Sequence, residues 1–399
     1  MMTKDEEVLA TKPLWMLALV LCLCLGAASA AGAEADALAR DITGQCLFNG
    51  RESITDLEDG NYRTFWTSHR QEGAHCLMVS APEAVGGVLV RWRNPAPLAA
   101  QVKQDGEWIT VAQSDTAYAA LYLPLPGLTE FRLVNAESAW AKLEICEVTV
   151  YSQGTLPENV QVWREPAEQV DLMLLSAHPD DEVLWFGGLL PYYAGERQKE
   201  CLVVCFAYNA YHRRLELLDS LWTCGVRAYP VFAGYQDYLT STLKDMYQYW
   251  DKQSLYQDVC NLYRQYRPQV VVAHDKHGEY GHGAHQAVSD AARKATMLAA
   301  DETQCVGTVK TLGVWQVPKV YIHLWEENQL TMDWHQPLAA FDGLTAQEVA
   351  RRAYACHTSQ QQKQWAVLDG GIYDNSLFGL FSSTVGPDVE KNDLFEHLE

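Results

Sequence analysis

Positive charge is scarce in this 399-residue sequence: 30 Lys and Arg stand against 51 Asp and Glu, a formal charge of −21. No run of Lys and Arg interrupts that field, so a polyanion is repelled and no nucleic-acid partner is expected. Also missing is any apolar run of the roughly 20 residues needed to span a bilayer. The stretch Leu14 to Leu25 is shorter and ends in Ala27-Ala28-Ser29-Ala30 and Ala31-Gly32-Ala33. That pattern of small residues suits signal peptidase, so residues 1–33 read as a signal peptide of an exported, extracellular or cell-surface protein. No stable transmembrane span remains after its removal. Asp5, Glu6 and Glu7 offset Lys4 and Lys12, which leaves an uncleaved anchor as the alternative. Cys22 and Cys24 lack the small residues that precede a lipidated cysteine, so no lipoprotein is expected. Internal repeats and low-complexity tracts are absent too, which sets aside a solenoid or fibrous chain.

Of 11 cysteines, removal of the signal leaves nine, an odd number, so at least one is unpaired or pairs between chains. Several lie in apolar stretches such as Cys201–Cys205, where a buried thiol behaves as a small hydrophobe. What is abundant is apolar surface, 48% of residues against 20% charged, as in a folded globular protein. The length suits two domains. The 13 Trp and 20 Tyr offer flat apolar faces of the kind that line carbohydrate sites, although any single one is better read as core.

Two rhythms divide the chain. From 36 to 153, short runs such as Gly87–Trp92, Trp108–Val111, Phe131–Val134 and Leu143–Tyr151 alternate with a period of two, which predicts an all-β sandwich. A linker covers 154–166. From 167 to 399 the strands become continuous apolar runs, Asp171–Ser176, Cys201–Ala207, Pro230–Ala233 and Val270–Ala273, as in strands buried on both faces. Helical stretches separate them at about Glu182–Ala194, Arg213–Cys224 and Asp245–Tyr266, and Gln286–Thr296 follows the last. The expected fold is doubly wound α/β with a mainly parallel, Rossmann-like sheet, its site at the carboxyl ends of the strands. The apolar tail Phe378–Asp388 is expected to pack on this domain.

Chemistry concentrates in two segments. Ala177-His178-Pro179-Asp180-Asp181-Glu182 stands between the first α/β strand and the first helix. Acidic residues there suit the positive end of the helix dipole, which alone explains Asp181 and Glu182. It does not explain the four histidines within 274–285, His274, His277, His282 and His285, after a later parallel strand. His282 and His285, three apart at a helix start, project from one side. Two His and one Asp with an open position make an expected catalytic zinc site, and iron or cobalt is accommodated by the same donors. The first β–α turn carries no G-x-G-x-x-G, which sets aside a nicotinamide-dependent reading.

The pair AHPDDE (177–182) and GHGAH (281–285) resembles the PIG-L/LmbE-like family of zinc-dependent N-deacetylases. The segment Arg213–Val226 and His357-Thr-Ser-Gln360 extend the resemblance over about 168–385. It implies one zinc held by His178, Asp181 and His285, Asp180 as general base, and a protonated His282 that steadies the oxyanion or protonates the leaving amine. One departure stands out: Gly283-Ala284 replaces the family's usual Pro-Asp. Glu182 is expected to start the helix or orient a ligand. Tyr208, Asn209, Arg213, Arg214, His274 and His277 are candidates to contact substrate or frame the pocket. In the first half, Leu57–Trp66, Gly106–Val111 and Leu143–Ser152 resemble discoidin-like, galactose-binding-like modules, which bind glycans or membranes or merely pack on a catalytic partner. Related domains often close a disulfide, here Cys46 with Cys146. The resemblance therefore implies a hydrolase that removes acetyl from an N-acetylated amino sugar of a glycan or glycoconjugate. An amidase on another N-acyl substrate, and a glycan-binding surface protein on a hydrolase scaffold, are the alternatives.

Overall fold

The computed structural model describes residues 37–362 and 365–398. The predicted signal peptide lies outside the described residues.

The first half comprises β1 (Leu47–Phe48), β2 (Trp66–Thr67), β3 (His69–Gln71), β4 (Ala74–Trp92), β5 (Leu98–Gln104), β6 (Glu107–Gln113), β7 (Ala120–Asn135) and β8 (Glu144–Ser152). They pair in the order β2-β8-β4-β7-β5-β6, with β1 and β3 also on β4. The long strands β4 and β7 make this one ladder into two layers. Cys76–Ser80 pairs with Glu130–Val134, the register then slips, and Gly87–Arg91 pairs with Ala120–Pro124. Such irregularities bend a strand, so β4 and β7 serve both faces of a shared core that includes Phe48, Leu77, Trp92, Leu121, Leu133 and Ile145. Gly87 is required at the bend, because a Cβ there would lie 2.3 Å from the Tyr122 hydroxyl oxygen and 2.7 Å from the Leu123 carbonyl oxygen. The predicted Gly106–Val111 strand is present as part of β6 but is an edge strand that leaves Ile109 and Val111 exposed.

The suspected Cys46–Cys146 disulfide is absent: both are free, buried thiols. Cys46 packs in the core of the sandwich, whereas Cys146 packs in the core of the second half, so the two side chains serve different cores. Burial pushes the Cys46 thiol up to about 11 and the Cys146 thiol up to about 12, which keeps both protonated.

The second half carries β9 (Leu172–Ser176), β10 (Cys201–Ala207), β11 (Val231–Tyr235), β12 (Val270–Ala273), β13 (Lys319–His323), β14 (Gln329–Thr331) and β15 (Leu377–Ser383). Their order is β11-β10-β9-β12-β13-β15-β14. The strands from β11 to β13 run parallel, and β15 and β14 close the edge antiparallel. β10 and β12 have the boundaries expected from their apolar runs, and the Phe378–Asp388 tail enters the sheet through β15. The helices are α1 (Asp181–Leu184), α2 (His212–Thr223), α3 (Leu243–Met246), α4 (Lys252–Tyr266), α5 (Gly283–Ala300), α6 (Val306–Leu312) and α7 (Ala346–Ala355).

Two predicted helices are cut. The one expected over Glu182–Ala194 is interrupted after α1 and resumes as a π-helix over Pro191–Glu196; between them Gly187 has φ +50° and a Cβ there would lie 2.5 Å from Asn375. The one expected over Asp245–Tyr266 breaks because Asp251, in extended backbone, caps α4 by accepting the Ser254 N–H. The order reverses between β9 and β12, one strand sequence running outward on each side. This is the topological switch point, where a doubly wound sheet opens a crevice at its carboxyl edge.

The halves share a core, since Ala119, Ala120 and Cys146 of the sandwich pack with the α/β side chains. Tyr118 stacks on Tyr229 at 3.9 Å. The Tyr62 hydroxyl donates to Asp219 of α2 at 2.7 Å, and Gln161 of the linker donates to the same carboxylate. Gln161 and Trp163 are buried, so the linker is packed chain. Among the described residues no helix is long and apolar enough to cross a membrane.

Candidate metal centre and catalytic cavity

Both chemical segments leave the carboxyl ends of adjacent parallel strands. The chain after β9 delivers His178, Asp180 and Asp181; the chain after β12 delivers His274, Glu279, Tyr280 and His282, and the first turn of α5 delivers His285. Three donor atoms converge. His178 Nδ1 lies 3.1 Å from Asp181 Oδ2 and 3.2 Å from His285 Nε2, and His285 Nε2 lies 3.3 Å from Asp181 Oδ2. Tetrahedral zinc with bonds of about 2.0–2.1 Å places its ligands about 3.3 Å apart, so the triangle has the size that a tetrahedral cation requires.

Outer partners set the imidazoles. His285 presents Nδ1 to Glu279 Oε2 at 2.7 Å, which leaves the Nε2 lone pair for the triangle. His178 Nε2 lies 3.3 Å from Asp237 Oδ1, which suits the proton on Nε2 and the lone pair on Nδ1. Glu279 is fully buried and also meets His274 Nδ1 at 2.8 Å and His323 Nδ1 at 2.7 Å. Burial opposes its ionisation, yet His274 and the other imidazoles hold it well below the usual carboxylate range. Burial likewise opposes ionisation of Asp181, and His285 with His178 overcomes it. These carboxylates draw a proton to His285, raising it to about 10 against burial; the same field draws a divalent cation. Glu279→Gln is expected to weaken metal binding by about 10–100-fold, measured by chelator competition, because amide and imidazole N–H groups then oppose one another.

Asp180 stands beside the triangle in a left-handed conformation, φ +103°. Such a conformation is costly for a residue with a Cβ and persists only where neighbours enforce it. Here the Asp180 N–H donates to Glu182 at 2.8 Å, and Arg213 donates to both the Asp180 carboxylate, at 3.1 Å, and the Pro179 carbonyl. Glu182 is itself held by Ser220 and His357 at 2.5 and 2.6 Å. Burial raises the Asp180 pKa to about 7 against the pull of Arg213.

His282 caps α5 by accepting the Ala284 N–H on Nδ1 at 3.2 Å. Burial, then the nearby His178 and His285, push it down to about 3. Because Nδ1 accepts the Ala284 N–H, the geometry suits a neutral imidazole with its proton on Nε2 in place of the protonated His282 expected from the sequence.

A cavity of about 350 Å³ opens over these groups, lined by His178, Asp180, Asp181, Arg213, Asp237 and His282 and walled by Trp185, Tyr280 and Trp365. Asn209 also lines it. Tyr208 does not; it meets Phe232 and the Arg214 guanidinium instead. Arg214 is corrected to a contact between the halves, donating to the Arg93 carbonyl at 2.7 Å. His277 is exposed and joins nothing in the site. His274 is buried beneath it, its Nε2 occupied by the Ala177 N–H at 2.9 Å, so it supports the loop after β9 and has no lone pair left for a cation.

The sequence reading passed over Glu279, Asp237, Tyr280 and Trp365. Glu279 and Tyr280 lie inside the histidine-rich segment, so their signal was present. Asp237 had only its place beyond the end of β11, and Trp365 had none.

The fold and site define an α/β unit with a candidate metal centre at the carboxyl edge of its sheet, packed against a β-sandwich. Residues 173–296 match the PIG-L family model, described as GlcNAc-PI de-N-acetylase. A 1D-myo-inositol 2-acetamido-2-deoxy-α-D-glucopyranoside deacetylase of Catenulispora acidiphila is 29% identical over 178 residues, covering 38% of this chain and 54% of the relative. The chain thus spans about half the length of that relative. Among solved structures, N,N'-diacetylchitobiose deacetylase from Pyrococcus horikoshii is 18% identical, with 48% of this chain and 71% of that chain covered and a TM-score of 0.37. The F5/8 type C domain of a Bacteroides fragilis protein is 17% identical, with 29% and 96% covered and a TM-score of 0.22.

Proposed function

We propose that the protein is an exported metal-dependent N-deacetylase that removes the acetyl group from an N-acetylated amino sugar of a glycan or glycoconjugate. The observation that carries this reading is the triangle of His178 Nδ1, Asp181 Oδ2 and His285 Nε2, with sides of 3.1–3.3 Å, beside a buried carboxylate that takes no part in it. The match to the PIG-L family model and a curated relative named as a deacetylase of a 2-acetamido-2-deoxy-glucopyranoside support the substrate class.

His178, Asp181 and His285 would hold the cation, zinc by preference, with iron or cobalt accommodated by the same donors. Bound there, it would supply Lewis-acid activation of water and of the acetyl carbonyl. Asp180, which lines the same cavity, takes the proton from the attacking water when ionised. Arg213 keeps the carboxylate aimed into the cavity. His282 donates from Nε2 to the oxygen that gains charge as the tetrahedral centre forms. The proton held by Asp180 then passes to the departing amine. The aromatic wall of Trp185, Tyr280 and Trp365 excludes water from one side of the substrate.

The test is metal content by mass spectrometry together with acetate release from N-acetylglucosaminyl oligosaccharides, before and after chelation. About one equivalent of metal, loss of release on chelation and recovery with zinc are expected. Bound metal without release from any amino sugar would redirect the site to another N-acyl substrate; neither metal nor release would overturn the reading.

A further inference from the structure

The loop between β11 and α3 lines the cavity with Asp237 and Leu239. Leu239 lines the cavity yet is 89% exposed. Beside it in sequence, Tyr238 stacks on Tyr249 with ring centroids 4.2 Å apart and planes 18° from parallel, both rings partly in solvent. One exposed leucine needs no explanation, but Leu239 at the cavity continues directly into the half-exposed Tyr238–Tyr249 stack, and an apolar strip adjoining a polar cavity marks a ligand surface.

The loop is built to stay there. The Gly283 N–H donates to the Thr240 carbonyl at 2.8 Å, the Leu243 N–H to Gln286 at 2.9 Å, and the Trp250 indole N–H to the Gln236 carbonyl at 2.8 Å. Gly283 stands where this chain departs from the Pro-Asp pattern. Proline has no N–H to donate, and a Cβ at 283 would lie 2.1 Å from Thr240 Oγ1. The departure is what lets the loop seat against α5 at the cavity's edge.

A cavity of about 350 Å³ is at the small end of ligand sites. It suits the single residue that carries the acetamide, and a neighbouring residue must lie over the rim. A pyranose ring presents a face of C–H groups that packs on flat aromatic and aliphatic surfaces. The formal charge of −21 repels an anionic lipid surface, so a neutral sugar is the occupant the rim fits.

We propose that Tyr238, Leu239 and Tyr249 form a subsite for the sugar residue adjoining the N-acetylated one, which makes an oligosaccharide the preferred substrate; this rests on the deacetylase reading above. The experiment compares kcat/KM for acetate release from N-acetylglucosamine and from N,N'-diacetylchitobiose, in the parent and in Leu239→Ser/Tyr249→Ala. Both positions are exposed, and a thermal melt checks that the variant is folded. The parent is expected to favour the disaccharide by about tenfold, and the variant to lose most of that preference. Equal rates on the two sugars in the parent, or an unchanged ratio in the variant, would overturn the subsite while leaving the deacetylase reading in place. Absence of release from both sugars would remove the reading itself. Sedimentation with phosphatidylglycerol vesicles that the double substitution abolishes would overturn the sugar and assign the rim to lipid.

Discussion

Asp180→Asn is expected to lower kcat/KM for acetate release by about 10²–10⁴-fold, the range of a positioned general base, with metal content equal to that of the parent. The amide keeps the shape and can accept the Arg213 hydrogen bond, but it cannot take a proton from water. Metal is retained because the triangle is made by His178, Asp181 and His285 and does not include Asp180. Steady-state kinetics and metal analysis on the same preparation check both halves of the expectation. Loss of metal along with activity would make Asp180 a ligand and not the base.

The same carboxylate sets the pH dependence. Burial holds its pKa at about 7 against the pull of Arg213, and a divalent cation beside it favours the ionised form and lowers the value further. The base works only when ionised, so the rate falls as pH drops through that pKa, and the acid limb of kcat/KM lies at or below about 7. Arg213→Leu removes the stabilising charge and is expected to move the limb upward.

Asp388→Ala is expected to destabilise the protein by about 3–5 kcal/mol, the cost of leaving a buried charge without its partner. Lys319 sits on β13 with no exposure and donates to Asp388 at 2.6 Å and to the Glu396 carbonyl at 2.9 Å. The Tyr321 hydroxyl donates to the same carboxylate at 2.6 Å. Burial, then Asp388, push that hydroxyl well above its ordinary value, so it remains a donor. Alanine at 388 removes the carboxylate that two buried donors share and leaves the Lys319 charge with only the Glu396 carbonyl. Denaturant unfolding measures the effect. The double variant Lys319→Met/Asp388→Leu is expected to lie much closer to the parent, since apolar replacement of a whole buried pair costs little. A double variant as unstable as the single one would place the tail's stability elsewhere.

Legibility in the sequence followed the range of the interactions. The strands β9, β10 and β12 were readable because burial on both faces demands unbroken apolar runs, and Cys201–Ala207 and Val270–Ala273 are such runs. The break in the helix expected over Glu182–Ala194 was not readable because Gly187, at positive φ, packs too close for a Cβ against Asn375, a residue far away in sequence. The supposed Cys46–Cys146 pair failed for a related reason. Spacing says nothing about which core a thiol enters, and here the two enter different ones.

The metal triangle belongs to both levels. Residue type and position pointed only to the acidic segment after the first α/β strand and to four histidines within 274–285; it was the motif resemblance that implied His178, Asp181 and His285 among them. That their donor atoms stand 3.1–3.3 Å apart is a consequence of β9 and β12 lying side by side at the switch point. The sequence by itself determined the two segments that hold the candidate donors, the two-part architecture and the excess of negative charge. Only the tertiary structure decided that Glu279 binds three imidazoles at once, that Asp237 and Trp365 reach the cavity, that Arg213 serves the site while Arg214 serves the sandwich, and that His282 is neutral. Each of those depends on desolvation and on contacts between segments remote along the chain, and neither quantity exists until the chain has folded.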